Sequence, residues 1–395
     1  MKGVNTVNTT SPINEKKRLV WIDAARGFAI FGIFIVNVGA FSSPYFMYGG
    51  ESELWEGPIN HSIQVIIDMF FQASFYTLFS ILFGFGFQIM KERIEARNDS
   101  LYPILFRRMA VLLLFGSIHA FGIWHGDILF SYSIVGFLLL FFLHVRTNTL
   151  LVTATMLLGG SVAFISLMYY TARDYLGVVN TLKISQALEH YSSNDITTIW
   201  SQNYNDWTYA NGGIGFVFLI LVLLPLFLIG MFVAKKRWLH EPMMYRKTLV
   251  KLWIASLLVF VSLKLGPYFY GNPLWFSYVQ DNIGGTASAL FYIITITFLG
   301  QTDLGKKLTR PFTYVGRMAL SNYIFQSLLS FILFYGVGFG LYGKITPLMG
   351  VCIVVIVYVF QVFVSKRWFE KYRFGPLEWV WRSLTYKRRQ PFIKK

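Results

Sequence analysis

Four side chains that could do chemistry lie in or beside apolar stretches of the sequence. The first three hydrophobic runs carry Asn37, Asp68 and His119 near their outward-facing ends, and Asp127 lies at the hairpin after the third run. An ionisable side chain at membrane depth is costly, so it usually faces a partner or water and marks a site of proton or ligand binding. We therefore expect these groups to line one outward-facing cavity. The alternative is that they only form hydrogen bonds between helices, as buried polar residues in membrane bundles often do.

A second set of polar residues lies towards the opposite ends of the runs. Guanidinium groups in this set could hold a phosphate-bearing ligand, because they form bidentate hydrogen bonds with phosphate. Asp23 and Arg26 are three residues apart, so they share a helical face and can pair. The set comprises Asp23, Arg26, Arg108, Arg317, Asn322, Glu378 and Arg382. For an arginine near a helix end, the simpler explanation is that it reaches for the membrane surface, which we favour for Arg107.

The elements that must position both sets are transmembrane helices. Of the 395 residues, 55% are hydrophobic and only 14% are charged, and the mean hydropathy is +0.52. This composition is too apolar for a soluble globular protein of this size. Runs long enough to cross a bilayer occupy residues 19–41, 62–90, 104–124, 127–144, 149–171, 213–234, 248–265, 284–300, 312–338 and 346–365. The sequence therefore predicts an all-α polytopic transmembrane helix bundle of about ten spans.

The distribution of Lys and Arg predicts which side of the membrane each loop occupies. These residues are concentrated in the N-terminal tail, in 91–108, in the stretches that begin at Lys235 and Gly305, and after Ser365. The intervening loops hold only Arg173, Lys183, Lys264 and Lys344. Since cytosolic loops collect Lys and Arg, both termini are predicted to be cytosolic. A basic cytosolic rim beside anionic lipids also explains the net charge of +16, so the charge does not imply nucleic acid.

These boundaries divide the chain into five parts. Residues 1–18 form a cytosolic tail, 19–171 a membrane half of five helices with the polar cavity, and 172–212 an extracytoplasmic loop that is either a cap of short helices or mobile. Residues 213–365 form a second membrane half of five helices, and 366–395 a basic cytosolic tail with the motif GPLEWVWR. The first run is too long for a signal peptide and is broken by Asp23 and Arg26, so we expect it to be retained.

Several other patterns are weaker. A single cysteine, Cys352, excludes an internal disulfide, and no motif has the ligand spacing of a metal site. The glycines of "LFGFGF" at Gly84 and of "GVGFG" from Gly336 lie in apolar runs, which favours close helix packing over phosphate binding.

Five blocks of the sequence carry a resemblance to a known family. In chain order they are "IDAARGFAIFGIFIVNV", "FYTLFSILFGFGF", "RRMAVLLLFGSIHAFGIWHGDILFSYSIVG", "VGRMALSNYIFQS" and "GPLEWVWRSLTY". They resemble the successive signatures of the YeiB-like family of bacterial inner-membrane proteins, domain-of-unknown-function family 418. The resemblance covers nearly the whole chain except 172–212, and it implies a multi-pass protein of the bacterial inner membrane.

The N-terminal half is also similar to the transmembrane acyltransferase superfamily. Asp23, Arg26, Gly27 and Asn37, followed by Asp68, resemble the opening of a lysosomal acetyltransferase that passes acetyl groups from cytosolic acetyl-CoA to a sugar on the far side. Asn37 matches an asparagine that serves that transfer. The histidine of that enzyme has no match at the same spacing, because His61 is placed differently and His119 belongs to the YeiB-type block.

This similarity implies transfer of an acyl group from cytosolic acyl-CoA to an extracytoplasmic or lipid-linked acceptor, such as a sugar, lipid or cell-wall glycan. Acyl-CoA is then a co-substrate, and no tightly bound cofactor is implied. His119 would act as general base, Asp68 or Asp127 would orient it, and Asn37 would donate to the oxyanion. The residues of the second set, from Asp23 to Arg382, would hold the phosphates of acyl-CoA.

Two other classes of function use the same residues. A transporter of a small solute or lipid would use Asp23, Asp68 and Asp127 as relays. A receptor or lipid-binding scaffold would bind a ligand without turnover or flux. Membrane lipids are expected partners in each case, and the sequence is compatible with a monomer and with a homo-oligomer.

Overall fold

A computed structural model describes residues 18–51, 55 and 57–394 of the chain. In this part of the chain all extended regular elements are helices, which confirms the predicted all-α bundle. The main helices are α1 (Val20–Ser42), α2 (Pro58–Phe70), α3 (Ser74–Glu95), α4 (Leu101–Gly122), α5 (Leu129–Leu138), α6 (Thr147–Thr171), α7 (Thr181–Tyr191), α8 (Ile196–Asn211), α9 (Ile214–Lys235), α10 (Arg246–Phe260), α11 (Gly285–Leu299), α12 (Asp303–Arg317), α13 (Ala319–Phe334), α14 (Pro347–Lys371) and α15 (Pro376–Thr385). The predicted N-terminal tail, up to residue 17, lies outside the described residues.

Shorter helical segments join some of these helices. They are the α-helical turns Tyr45–Tyr48 and Ser277–Val279, the 3₁₀ segments Leu139–Phe142, Arg173–Tyr175, Gly266–Tyr270 and Leu274–Phe276, and the π-helical segments Val261–Leu265 and Gln280–Gly284. Single π-helical turns inside α-helices are rare and often occur at functional sites.

Eight helical stretches of the described chain are long and apolar enough to cross a membrane. They are Val20–Ser42, Pro58–Glu95, Leu101–Gly122, Thr147–Thr171, Ile214–Lys235, Arg246–Tyr270, Leu274–Leu299 and Pro347–Lys371, and two shorter apolar stretches are Leu129–Phe142 and Ala319–Phe334. All ten overlap the predicted runs, as expected of a multi-pass membrane protein. The exact number of spans and the cytosolic position of both termini stay predictions.

Two of the predicted runs are interrupted in the structure. The run 62–90 breaks between α2 and α3, where Ala73 adopts a left-handed backbone conformation with φ of 59°. The run 312–338 contains two helices, α12 and α13, separated at Met318, and its last residues form turns rather than helix. Gly336 lies in these turns, where its N–H donates to the Tyr191 carbonyl at 2.8 Å, so the predicted helix packing at this glycine is wrong. Hydropathy reports composition and does not detect a change in backbone conformation.

Helix α1 lies at the centre of the bundle and packs against α3, α11, α12, α13 and α14. Its contact with α12 depends on two glycines. A Cβ at Gly27 would overlap the Phe312 carbonyl group, and a Cβ at Gly316 would overlap the Asp23 carbonyl oxygen. The Tyr358 hydroxyl of α14 donates to the Gly27 carbonyl at 2.8 Å. The backbones of α1 and α12 therefore approach more closely than side chains would allow.

A second close contact joins α3 and α9. A Cβ at Gly84 of α3 would overlap the backbone of Phe227, and a Cβ at Gly230 of α9 would overlap the backbone of Ile81. The packing role predicted for Gly84 agrees with this contact. The two glycine contacts, α1 with α12 and α3 with α9, bring the N-terminal and C-terminal membrane halves together.

Residues 172–212 fold into a helical cap, one of the two predicted alternatives. Helix α8 covers the last turn of α4, because Asn203 Nδ2 donates to the Ala120 carbonyl at 2.7 Å and Trp200 Nε1 donates to the Gly122 carbonyl at 3.0 Å. Asp206 of α8 accepts hydrogen bonds from two buried tyrosine hydroxyl groups. We call this end of the bundle the cap end, and the opposite end, where α4 begins and α15 packs, the basic end.

The glycine contact between α1 and α12 gives a stability prediction. Gly316→Ala forces a methyl group into the α1 backbone and should cost about 1–3 kcal/mol through overpacking. Thermal unfolding of the detergent-purified protein should show a clearly lower Tm. Gly39→Ala on α1 is the matched control, because a Cβ there meets open space. Equal Tm values for the two variants would contradict the role of this contact.

Candidate functional site

A cavity of about 300 Å³ lies inside the bundle and reaches its basic end. Charged residues line its mouth: Arg18, Asp23, Arg26, Arg93, Arg97, Asp99, Arg108, Arg317, Glu378 and Arg382. Seven arginines against three acidic residues give this mouth a formal charge of +4. The inner part is lined mainly by aliphatic and aromatic side chains. The cavity therefore combines a site for negative charge with an apolar interior.

Helix α1 supplies one wall of the cavity. Asp23, Arg26, Ile30 and Ile33 follow one another at intervals of three or four residues, so they lie on one face of the helix. Asp23 is buried and accepts hydrogen bonds from Arg18 and, at 3.5 Å, from Arg26. The predicted pair is thus formed, and it holds two guanidinium groups at the cavity mouth.

The C-terminal helix α15 forms another wall and brings Trp381 and Arg382 to the mouth. The Arg108 guanidinium of α4 lies 3.8 Å from the centre of the Trp381 ring, and Trp381 Nε1 donates to the Arg108 carbonyl at 2.9 Å. Burial lowers the pKa of Arg382, but a guanidinium remains charged at neutral pH. The predicted tail is therefore a structural part of the cavity.

Glu378 anchors α15 to the start of α13. Its Oε1 accepts from the backbone N–H groups of Leu320 at 2.8 Å and Ser321 at 3.1 Å, and its Oε2 accepts from the Ser321 hydroxyl at 2.6 Å. Burial raises the pKa of Glu378, and these hydrogen bonds oppose the rise. The carboxyl group occupies the N-terminus of a helix, where the free N–H groups favour an acceptor.

The inner end of the cavity reaches Leu129 and Tyr132 of α5 and Tyr323 of α13. His119 lies outside the lining, with its ring centre 5.1 Å from that of Tyr323. His119 Nδ1 is 2.6 Å from Asp127 Oδ1. The carboxylate thereby fixes the ring orientation and favours the tautomer with hydrogen on Nδ1.

The other nitrogen of His119 has no partner. The residue is only 1% exposed, and its Nε2 makes no hydrogen bond within the described part of the chain. Leaving a buried polar atom unpaired costs about 1–3 kcal/mol. Such an atom needs an explanation, and a ligand group that completes the hydrogen bond is one. Nε2 is therefore a candidate proton acceptor behind the inner wall of the cavity.

Asn37 and Asp68 lie elsewhere. Asn37 is half-buried on the same face of α1 as Ile30 and Ile33, one turn beyond the last cavity-lining residue of that helix. Asp68 does not line the cavity, and its carboxylate accepts from Tyr268 Oη at 2.5 Å. The structure thus brings His119 and Asp127 together and places Asp68 in a separate cluster. The prediction that all four residues line one cavity is therefore wrong for Asp68, whose carboxylate points towards Tyr268 and Gln280.

Of the seven residues expected to bind an anionic ligand, six line the cavity mouth: Asp23, Arg26, Arg108, Arg317, Glu378 and Arg382. Asn322 does not. Its Nδ2 donates to the Val315 carbonyl and to Ser365 Oγ, each at 3.2 Å, so it joins α12, α13 and α14. The neighbouring residue, Tyr323, faces the cavity instead, because successive residues of a helix point about 100° apart.

Sequence reasoning missed several residues of this cavity, among them Arg93, Arg97 and Tyr323. Arg93 and Arg97 lie one helical turn apart, a spacing that signals a shared face, but their segment was interpreted only as evidence of membrane orientation. Tyr323 gave no signal, since an aromatic residue in an apolar run is normally a packing residue. Among the described residues, no group of three or more His, Cys, Asp and Glu side chains is arranged to hold a metal ion.

Comparison with known proteins gives consistent matches along the chain. Residues 233–388 match a family model described as a protein of unknown function, DUF418. The chain is 35% identical to the uncharacterized protein YxaH of Bacillus subtilis over 98% of this chain and 99% of that protein. It is 28% identical to the uncharacterized protein YeiB of Escherichia coli, over 96% of this chain and 99% of that protein. No solved structure matches the chain.

The anchoring of α15 can be tested at Glu378. Glu378→Ala leaves the N–H groups of Leu320 and Ser321 without their acceptor, which should cost about 1–3 kcal/mol. We expect the C-terminal segment to detach and trypsin to cleave faster after Lys387 in the detergent-purified protein. Glu370→Ala is the control, because that side chain is 59% exposed. An unchanged cleavage rate in Glu378→Ala would show that α15 is held by other contacts.

Proposed function

The chain belongs to the YeiB-like family described as DUF418, and we propose that it transfers an acyl group from acyl-CoA to an acceptor in the bacterial inner membrane. One observation carries this proposal. A single cavity has a mouth of formal charge +4, an apolar interior, and an inner wall that contacts His119, whose Nε2 is unpaired. An anionic carrier with an apolar chain fits this arrangement of charge.

The proposed donor would bind from the basic end. Arginine is suited to phosphate because its planar guanidinium donates two parallel hydrogen bonds. The volume of about 300 Å³ is at the lower limit for ligand pockets. The nucleotide part of acyl-CoA therefore stays at the mouth, against Arg108 and Arg382, and only the thiol arm and the acyl group enter the apolar part. This arrangement favours short acyl groups.

The proposed transfer is direct. His119 Nε2 takes the proton of the acceptor hydroxyl or amine, the acceptor atom bonds to the thioester carbonyl carbon, and the carbon–sulfur bond breaks. The proton then passes from His119 to the leaving thiolate, so the histidine returns to its neutral form. Asp127 stabilises the imidazolium between these steps, as a carboxylate does beside a catalytic histidine.

Two further residues have defined positions in this proposal. Tyr323 forms the cavity wall next to His119, so its side chain must rotate before Nε2 can meet the acceptor. Asn37, one turn beyond Ile33 on the cavity face of α1, is the candidate donor to the oxyanion. The acceptor would approach from the cap end, where α8 covers the last turn of α4. Asp68 has no part in the reaction.

Donor binding predicts a specific effect of the cavity arginines. Arg108→Ala removes one charged donor and should weaken binding of acetyl-CoA by roughly tenfold or more, since a hydrogen bond to a charged group contributes about 1.5–3 kcal/mol. Equilibrium binding of radiolabelled acetyl-CoA to the purified protein measures this effect, and Arg108→Lys should restore part of it. Arg237→Ala is the control, because Arg237 forms an exposed ion pair with Glu241 on the surface. Unchanged binding in Arg108→Ala would contradict the proposed donor site.

Catalysis predicts a different effect at His119. His119→Ala should abolish acyl transfer and leave acetyl-CoA binding nearly unchanged, because the residue lies behind the cavity wall. Transfer of radiolabel from acetyl-CoA to lipid and glycan fractions can be followed in vesicles made from producing cells. His61→Ala, an exposed histidine, should keep full activity. Full transfer in His119→Ala removes it from the mechanism, and flux of label without an acylated product would favour a transporter.

A further inference from the structure

A buried lysine lies between two aspartates at a second place in the bundle, away from the basic cavity. Lys264 is 0% exposed and belongs to the π-helical segment Val261–Leu265. Its Nζ is 3.1 Å from Asp281 Oδ1 and 3.8 Å from Asp68 Oδ1. Asp281 belongs to the other π-helical segment, Gln280–Gly284. None of the three residues lines the cavity. We call them the Lys264 cluster.

The local backbone is adapted to hold this lysine. The stem of Lys264 packs against Gly284, where an added Cβ would come within 3.0 Å of Lys264 Cγ. Both π-helical turns thus meet at the lysine. Because π-helical turns often mark functional sites, and because ionisable residues in membrane segments are rare, the Lys264 cluster calls for a role beyond packing.

The two aspartates have unequal partners. Asp281 accepts the hydrogen bond from the Lys264 amine, whereas Asp68 accepts from two neutral donors, Tyr268 Oη at 2.5 Å and Gln280 Nε2 at 3.2 Å. The Lys264 ammonium therefore neutralises the Asp281 carboxylate directly, whereas the Asp68 carboxylate is stabilised by hydrogen bonds from uncharged groups. If both carboxylates are ionised, the cluster carries one uncompensated negative charge.

Within the described part of the chain, both aspartates pair with the same cation, Lys264. Among the described residues, other titratable groups that interact with Asp68 or Asp281 include Glu51, Tyr76 and Tyr268, and none of these three is cationic. Burial and the Asp68 carboxylate both raise the pKa of Glu51. An uncompensated charge at membrane depth is costly, which favours uptake of a cation by the cluster.

We propose that Lys264, Asp68 and Asp281 form a proton-binding site in which the two carboxyl groups share one exchangeable proton. The proton adds to one carboxylate to give a neutral carboxyl group, and the lysine ammonium balances the other. The Asp68 and Asp281 side chains are 32% and 31% exposed, so the proton can reach either one, whereas the amine is enclosed. Protonation of Asp281 would allow the Lys264 ammonium to move towards Asp68. The position of the proton therefore decides which aspartate forms the ion pair with Lys264.

Infrared spectroscopy of the full-length protein in detergent at neutral pH tests this proposal, because a protonated carboxyl group has its own carbonyl stretching band. Two difference spectra are compared: wild type minus Asp281→Asn, and wild type minus Asp68→Asn. In each of them we expect the band of one protonated carboxyl group. Either substitution leaves one carboxylate for one ammonium, so either should remove the shared proton. Asp303→Asn, at a side chain that is 96% exposed, should show no such band.

The outcomes separate the alternatives. Retention of the protonated carboxyl in Lys264→Met supports the proposal, since loss of the ammonium increases the need for a proton. Absence of the band from both aspartate difference spectra would overturn it. A band that appears only when Na⁺ is replaced by a bulky organic cation would also overturn it, because the site would then hold Na⁺. Other buried carboxyl groups, such as Glu378, cancel in the differences.

Discussion

The close contact between α1 and α12 determines where the basic cavity forms. Gly27 and Gly316 allow the two helix backbones to touch, and each glycine is adjacent in sequence to an arginine of the cavity mouth, Arg26 or Arg317. A helix pair held at this distance leaves no space for side chains between the glycines. The neighbouring arginines are therefore directed to the side, where α4 and α15 complete the cavity.

The bundle keeps two kinds of buried charge in separate places. At the basic cavity, arginines outnumber acidic residues, and an anionic ligand would balance the excess. At the Lys264 cluster, carboxylates outnumber the amine, and a proton would balance the excess. In both places the physical constraint is the same: low-dielectric surroundings penalise an unpaired charge. The sign of the excess indicates the kind of ligand that each place would accept.

The cap controls which side of His119 is accessible. Helix α8 is hydrogen-bonded to the carbonyl groups of Ala120 and Gly122, directly after His119. On the other side, Tyr323 separates the imidazole from the cavity. A histidine enclosed in this way is shielded from bulk water, which in the proposed transfer would compete with the acceptor for the acyl group. In the proposed transfer, α8 and Tyr323 would both have to move before donor and acceptor could meet at His119.

The sequence by itself determined the helical class, the ten apolar stretches and the end of the bundle at which most residues of the second set lie. These properties depend on composition and on the fixed rise of a helix along its axis, and neither requires knowledge of packing. The residues of the second set, except Asn322, could be assigned to one end of the bundle for this reason. Only the tertiary structure decided which side chains meet. It placed Asp68 away from His119, and it placed Tyr323, Arg93 and Arg97 in the cavity lining but not Asn322. The reason is that contacts between residues distant in the chain, such as Gly27 with α12, set the rotation of each helix about its axis.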